Sequence, residues 1–586
     1  MLVTRASIAR ARTSCAATSA NERVMQTVEL EQVLKRAFQH HSKGQWQQAE
    51  SLYRTILKSD PRQPQTLHLL GLLCFQSDKR KAAAKLLSQA VAIKPDNAEA
   101  QFHLAVTLQA LGRLEDAVAP YRHAIALEPE NAEAHNNLGS VQEDLGRSKE
   151  AVDSYRHAIA INPSYAGAQM NLGAIYRKHG RPEEAAKLYR EALAHQPHSA
   201  ELHYNLGLAL TDLADPAAAA ASFHDATVHK VDYAAAHEKL GDALREQARF
   251  DEALDSYQTA LNHDPLRIGA HVNQAVTLHE LGHYDTAAKL CLRALEIDPQ
   301  SKSAQHNLAH CYWKLERFKE ALLLFKGLDT PIAEARALEC LFAMQSEDTF
   351  YRVQEQPAPS WGANLRIAAI NAFAADQWNR LNPHPFCKRP LDFIRTYDLL
   401  EGKTDRIQFI EELIAILNRQ TAVWEPFGKS TVAGFQTPAV LFERPEGPLA
   451  ELHSLLETHI TRYRTEQFDE TCNYIDRFPT RYTLNGWYGK LVKGGHRLPH
   501  IHPSGWLSGV FYIQCPQGSN IDEGAIEFSL HGYGYPVLND AYPRHQHRPR
   551  SGDLVLFPSS LFHSTVPIET EKERLVVAFD LVPLND

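Results

Sequence analysis

The chain has no run of about 18 consecutive apolar residues, the least that a membrane-spanning helix needs, so no membrane partner is expected. It also has no excess of basic charge. Its 61 Lys and Arg against 70 Asp and Glu give a formal net charge of −9, whereas wrapping nucleic acid takes a basic face. Nucleic acid is not expected as a partner either. Cysteines are few, eight in 586 residues, and none stand in a CxxC pair, which argues against a zinc module or a disulfide framework. A reducing, cytoplasmic location is the expectation. No acid precedes Glu22, and the opening stretch carries Arg5, Arg10 and Arg12 among Ser, Thr and Ala. That composition leaves an organellar leader as the alternative location, beside a disordered tail over residues 1–28 or a true start at Met25.

What the chain does have is length and period. A chain of 586 residues is too long for one hydrophobic core. Prolines fall at Pro61, Pro95, Pro129, Pro163, Pro197, Pro265 and Pro299, every gap being 34 residues or twice that. Small residues keep the same step through Gly71, Ala105, Gly139, Gly173, Gly207, Gly241, Ala275 and Ala309, and again through Ala117, Ala151, Ala185, Ala219, Ala253, Ala287 and Ala321. An aromatic series runs through Tyr121, Tyr155, Tyr189, Phe223 and Tyr257. These coincident series resemble the tetratricopeptide repeat over residues 29–345. The resemblance implies about nine stacked helix hairpins with a concave inner surface that takes up a protein or peptide. The small and aromatic series are expected to be core packing.

One polar series is different. Asn137, Asn171, Asn205, Asn273 and Asn307 recur two residues before the small position, with Lys239 in the sixth place. An amide offers a donor and an acceptor to a passing peptide backbone. The pattern resembles the asparagine ladder in the repeats of O-linked N-acetylglucosamine transferases, which implies partner binding by these five residues. The other reading is that the amides bond neighbouring helices.

The register decays after Ala321, and Pro331, Pro357, Pro359 and Gly362 mark Asp329–Asn364 as a linker. Residues 365–425 carry apolar residues at helical spacing, giving a linker and helical support region over 346–429. From residue 430 to 586 short runs alternate with Gly and Pro: Ser430–Phe442, Gly486–Val492, Leu507–Gln514, Gly524–Leu530, Gly552–Pro558 and Arg574–Val582. Evenly spaced short strands predict an all-β barrel or jelly roll. The fold class is therefore an all-α repeat superhelix followed by a double-stranded β-helix with supporting helices.

The β-rich region contains KGGHRLPHIHPSGWLSGVFYI, then EGAIEFSL, SGDLVLFPSSLFHSTVP and ERLVVAFDLVP. In that order these segments resemble the 2-oxoglutarate/iron(II) oxygenase family often fused behind tetratricopeptide repeats. The resemblance implies ferrous iron, 2-oxoglutarate as cosubstrate and molecular oxygen, in a dioxygenase that hydroxylates a C–H bond. Carried over residue by residue, it implies a proximal pair His500 and His502, which strand alternation sets on one face, and a distal His563. It also implies Arg574 and Tyr512 on the distal carboxylate of 2-oxoglutarate, a bidentate role suited to guanidinium. No catalytic residue is expected beyond the metal centre. The chain departs from the family at two places: the usual carboxylate ligand reads His502, with Glu527 the alternative carboxylate, and a serine expected two residues after the arginine reads Val576. His545 and His547, in PRHQHRPR, read as surface loop residues, and Trp487 and Trp506 as packing.

Three functions follow: an oxygenase acting on a protein or carrier-bound substrate recruited by the repeats, an interaction scaffold whose β-domain no longer turns over, and a cupin-like metal enzyme that does not use 2-oxoglutarate. Arg574 argues against the third.

Overall fold

A computed structural model describes residues 30–584 apart from 356–360, 426–429, 467, 469–470 and 517–521. The tail over residues 1–28, the leader-like stretch and Met25 lie outside the described residues, as do Pro357 and Pro359. The chain divides into two compact units with the boundary after Pro265.

The first unit is a run of helix hairpins, such as Ala98–Ala110 with Leu114–Leu127 and Ala132–Asp144 with Ser148–Ile161. The small and aromatic series explain each other: a Cβ added at Gly139 would lie 2.7 Å from the Tyr155 ring, and at Gly173, Gly207 and Gly241 it would meet Tyr189, Phe223 and Tyr257 at 2.4–2.6 Å. The aromatic ring of the second helix fills the space the first leaves open, and all five rings of the series are buried. The proline series marks a turn whose carbonyl would otherwise go unpaired. Side chains six residues on satisfy it, with Gln101, His135, Gln169 and His203 donating to the carbonyls of Pro95, Pro129, Pro163 and Pro197 at 2.9–3.1 Å.

The second unit holds the remaining repeat helices and the β-domain. The stretch expected as a linker holds two helices instead, Pro331–Ala343 and Glu347–Arg352. Pro331 opens the first of these behind the N-cap Thr330, where a proline costs nothing because its missing N–H has no helical partner. Leu338 and Phe342 of that helix, with Ile370 and Phe373 of the helix Leu365–Gln377, share one apolar core with Trp487, Tyr512, Phe528, Phe557 and Val576 of the sheet. Support for the β-domain thus comes from the end of the repeats as well as from residues 365–425. A second helix, Pro448–Thr465, buries Leu449, Leu452, Leu456, Ile460 and Tyr463 against the opposite core.

Among the described residues ten antiparallel strands form the curled sheet: β1 Arg395–Asp398, β2 Val423–Trp424, β3 Thr431–Gln436, β4 Tyr482–His500, β5 Leu507–Gln514, β6 Ile526–Ser529, β7 Arg544–His547, β8 Asp553–Pro558, β9 Phe562–Thr565 and β10 Arg574–Pro583. Their order is β1-β8-β5-β10-β4-β9-β6-β7, with β3 also on β4 and β2 on β3. β4 joins the two halves, since its residues 482–491 pair with β10 and its end pairs with β9. It turns between them at Gly494, whose φ of +81° suits glycine, and at Gly495, where a Cβ would lie 2.5 Å from the Val492 carbonyl. Among the described residues no helix is long and apolar enough to cross a membrane.

Candidate metal centre

The turn in β4 brings three histidines together. After it, His500 stands opposite His563 of β9 in the strand register, and His502 follows two residues on, its N–H bonded to the Ser559 carbonyl at 3.0 Å. A ring nitrogen from each of His500, His502 and His563 lies within 4.8 Å of the others.

Each ring already has its other nitrogen engaged. The Nδ1 of His500 lies 2.7 Å from the Leu498 carbonyl, that of His563 3.2 Å from the Leu561 carbonyl, and that of His502 2.5 Å from Asp580 Oδ1. An Nδ1–H that donates to an oxygen fixes the tautomer with the lone pair on Nε2. Ser430 Oγ stands 3.3 Å from His500 Nε2. Burial holds His500 and His563 well below the ordinary imidazole range, and the neighbouring rings push the same way. Neutral imidazole is the form that binds a metal. Asp580 is itself held by the Ser508 hydroxyl at 2.7 Å, and Ser508 by Ser559 at 2.8 Å. The Trp487 ring lies 5.4 Å from that of His502, with its indole N–H buried and unpartnered.

Glu527, the alternative carboxylate, is not in this group. On β6 it alternates with the buried Ile526 and Phe528, and Phe528 stands opposite His563 with its ring 6.3 Å away, so Glu527 points off the other face. Asp580 was not legible as a site residue, although Arg574, Val576, Ala578 and Asp580 share one face of β10 by alternation.

The two residues expected on the cosubstrate also meet. Arg574, 2% exposed, donates from Nη2 to the Tyr512 hydroxyl at 3.2 Å and from Nε to the Gly524 carbonyl at 3.1 Å. Among the described residues no carboxylate pairs with it. Val576 stands opposite Tyr512 and adds no hydroxyl. A second guanidinium, Arg497, which no motif in the sequence marks, lies beside Arg574. It donates to Gln436 Oε1 at 3.1 Å, and burial together with Arg574 pushes its pKa down to about 10. Across from it Gly489 has no side chain, and a Cβ there would lie 3.0 Å from Arg497 Nη2 and 3.2 Å from Val576. A buried Arg574 and a half-buried Arg497, neither paired with a carboxylate among the described residues, make a pocket suited to an anion.

His545 and His547 belong to β7, not to a loop. The flanking Pro and Arg obscure a short strand that pairs with β6, and His547 Nε2 lies 3.1 Å from Asp553. The asparagine series is half-buried throughout. Asn171 donates to Asn136 Oδ1 and Asn136 to Asn137 Oδ1, both at 3.1 Å, while Asn307 donates to the Ser303 carbonyl at 2.9 Å. Lys239 pairs with Asp242 at 2.8 Å.

Residues 485–580 match the family described as "Putative 2OG-Fe(II) oxygenase". Tetratricopeptide-repeat families match within 108–337, and residues 42–124 match "Anaphase-promoting complex, cyclosome, subunit 3". The chain is 36% identical over 93 residues to a PKHD-type hydroxylase, YbiX, of Shigella boydii serotype 18, and 34% identical over 93 residues to that of Escherichia fergusonii. Each match spans 15% of this chain and 35% of the relative, so the chain covers about a third of the length of these curated relatives. A solved structure of MamA is 27% identical with a TM-score of 0.27, covering 28% of this chain and 94% of that one. The chain thus joins tetratricopeptide repeats to a C-terminal domain whose residues 485–580 match a 2OG-Fe(II) oxygenase family.

Proposed function

We propose that the C-terminal domain is a 2-oxoglutarate- and iron(II)-dependent dioxygenase that hydroxylates a protein or carrier-bound substrate recruited by the repeats. The observation that carries this reading is the pairing of two features in one β-domain: three imidazoles drawn together with each Nδ1 engaged by an oxygen, and a buried Arg574 that no carboxylate pairs with among the described residues. Ferrous iron with 2-oxoglutarate and oxygen would supply the oxidant, one oxygen atom entering a C–H bond and the other the succinate formed as carbon dioxide leaves.

The chain's own residues do the rest. His500, His502 and His563 would hold the metal through Nε2. Asp580 accepts the His502 proton at Nδ1, so negative charge stands behind that ring where the usual ligand set has a carboxylate on the metal itself. Arg574 and Tyr512 bind the distal carboxylate of 2-oxoglutarate, and Arg497 lines the same pocket. Trp487 and Phe528 wall the centre with apolar surface. The test is release of labelled carbon dioxide from 1-labelled 2-oxoglutarate by the full chain with ferrous iron, run with and without Arg574→Ala. Release that depends on Arg574 is expected. Metal binding with no release from either protein would favour the scaffold reading, which Val576 and the missing carboxylate ligand otherwise support.

A further inference from the structure

The last repeat helices and the β-domain enclose a second polar cluster, separate from the three histidines and the cosubstrate pocket. The guanidinium of Arg336, on the helix Pro331–Ala343, lies 4.3 Å over the Trp313 ring and 5.7 Å from the Tyr533 ring. That of Arg366, on the helix Leu365–Gln377, lies 4.9 Å over the same Tyr533 ring. His279, His306 and His310 stand close by, the last two with rings 4.5 Å apart. The charges that act on these three histidines are all cationic, Arg336 on each of them, Lys314 on His279 and Arg366 on His310.

Acid is scarce here. Glu339, 1% exposed, pairs with Arg336 Nη1 at 2.5 Å and accepts from Tyr535 at 3.1 Å, which uses both its oxygens. Arg366 has no ion-pair partner among the described residues. Among the described residues Arg336 Nε, Arg366 Nη1 and His279 Nε2 are each buried without a hydrogen-bond partner. Native proteins rarely leave buried guanidinium nitrogens unmatched, because each forfeits its hydration. A planar bidentate acceptor is what two such forks around one aromatic ring would take.

The cluster touches the metal centre through Tyr533. Its ring stands 4.9 Å from that of Phe562, the residue before His563. It also touches the repeats, because His306, His310 and Trp313 lie on one face of the helix Lys302–Lys314.

We propose that Arg336 and Arg366 bind the carboxylate of an Asp or Glu side chain in the polypeptide substrate, fixing the register at which a neighbouring residue reaches the histidine centre. The fate of that neighbour rests on the oxygenase reading; the binding of the acid does not.

The test is selection from a random, C-amidated dodecapeptide library by the full chain, metal-free, with bound sequences read by mass spectrometry. Wild type should enrich Asp or Glu at one position, and synthetic peptides bearing that acid should bind at least about tenfold more tightly than their Gln or Asn counterparts. Arg366→Gln should remove that difference. Arg336→Lys should reduce it while leaving Glu339 a partner, so loss cannot be laid to an unpaired buried acid. No acidic enrichment, or equal enrichment by Arg366→Gln with an unchanged melting temperature, would overturn the proposal. Enrichment confined to a parallel free-acid library would overturn it too, by assigning the site to a terminal carboxylate. Acid-selective binding in a protein that never decarboxylates 2-oxoglutarate would uphold this site and defeat only the oxygenase reading.

Discussion

Asp580 accepts the Nδ1 proton of His502 at 2.5 Å, from a strand 78 residues further along the chain. The carboxylate missing from the histidine group therefore stands directly behind one of its rings. Partners of this kind orient a ligand and raise its basicity, and their loss commonly weakens metal binding about 10–100-fold. Asp580→Asn should weaken ferrous or cobaltous binding by that range in an anaerobic titration. Unchanged affinity would mean that Asp580 is only part of the Ser508–Ser559 network.

His500→Ala and His563→Ala should each abolish stoichiometric metal binding while leaving the helical signal of the repeats intact, since the lost ligand is local to the β-domain. Metal analysis beside circular dichroism reads both. Full occupancy in either variant would remove these residues from the site.

Arg574→Ala should raise the 2-oxoglutarate concentration needed for half-maximal binding at least about tenfold, given roughly 1.5–3 kcal/mol for a charged hydrogen bond. Arg497→Ala should move it the same way. If only Arg574 matters, Arg497 serves to hold Gln436 and β3 in place rather than to meet the cosubstrate.

The asparagine series divides into two kinds, and the difference can be measured. Asn171 is bonded to Asn136 across hairpins, so Asn171→Ala should lower the melting temperature. Asn205 is half-buried and makes no such bond among the described residues, so Asn205→Ala should leave stability alone and weaken an extended partner by a modest hydrogen bond, roughly 0.5–1.5 kcal/mol. Equal loss of stability in both would reduce the whole series to packing.

Acid should destabilise the metal-free protein through two histidines largely shut away from water, His68 and His310. Burial pushes His68 down to about 4, with His103 adding to the effect, and pushes His310 down to about 2, with Arg336 adding. A histidine whose folded pKa lies below its unfolded value of about 6.5 favours the native state while neutral. The unfolded chain then binds more protons as pH falls below about 6.5, and stability drops progressively toward the folded values. The melting temperature should be level above pH 7 and fall between pH 6.5 and 5, less steeply in His310→Gln. A flat profile throughout would contradict the burial of both rings.

The repeats were legible because a 34-residue period multiplies every signal. Gly139 under Tyr155 says little alone, but the same pair recurs at Gly173 and Tyr189 and again at Gly207 and Phe223. The histidines were legible because HxH on a strand end is a local pattern. Asp580 was not, since its role depends on β10 lying beside β5 in the sheet, a relation no spacing along the chain expresses. Arg497 was hidden in the same way: only the bend at Gly494 and Gly495 turns it in toward Tyr512 and Arg574. β1, β7 and β9 have four residues each, too short for alternation to declare itself. The helix Pro331–Ala343 is hidden in the sequence because a lone proline signals a breaker, whereas Pro331 behind the N-cap Thr330 is a start signal.

The most direct test is anaerobic addition of ferrous iron and then 2-oxoglutarate to the metal-free protein, followed by visible absorption. A weak charge-transfer band that needs both components, and that is lost in His563→Ala and weakened in Arg574→Ala, is the expected result. Tight iron binding with no band at saturating 2-oxoglutarate would contradict the assignment of these residues to a 2-oxoglutarate oxygenase centre.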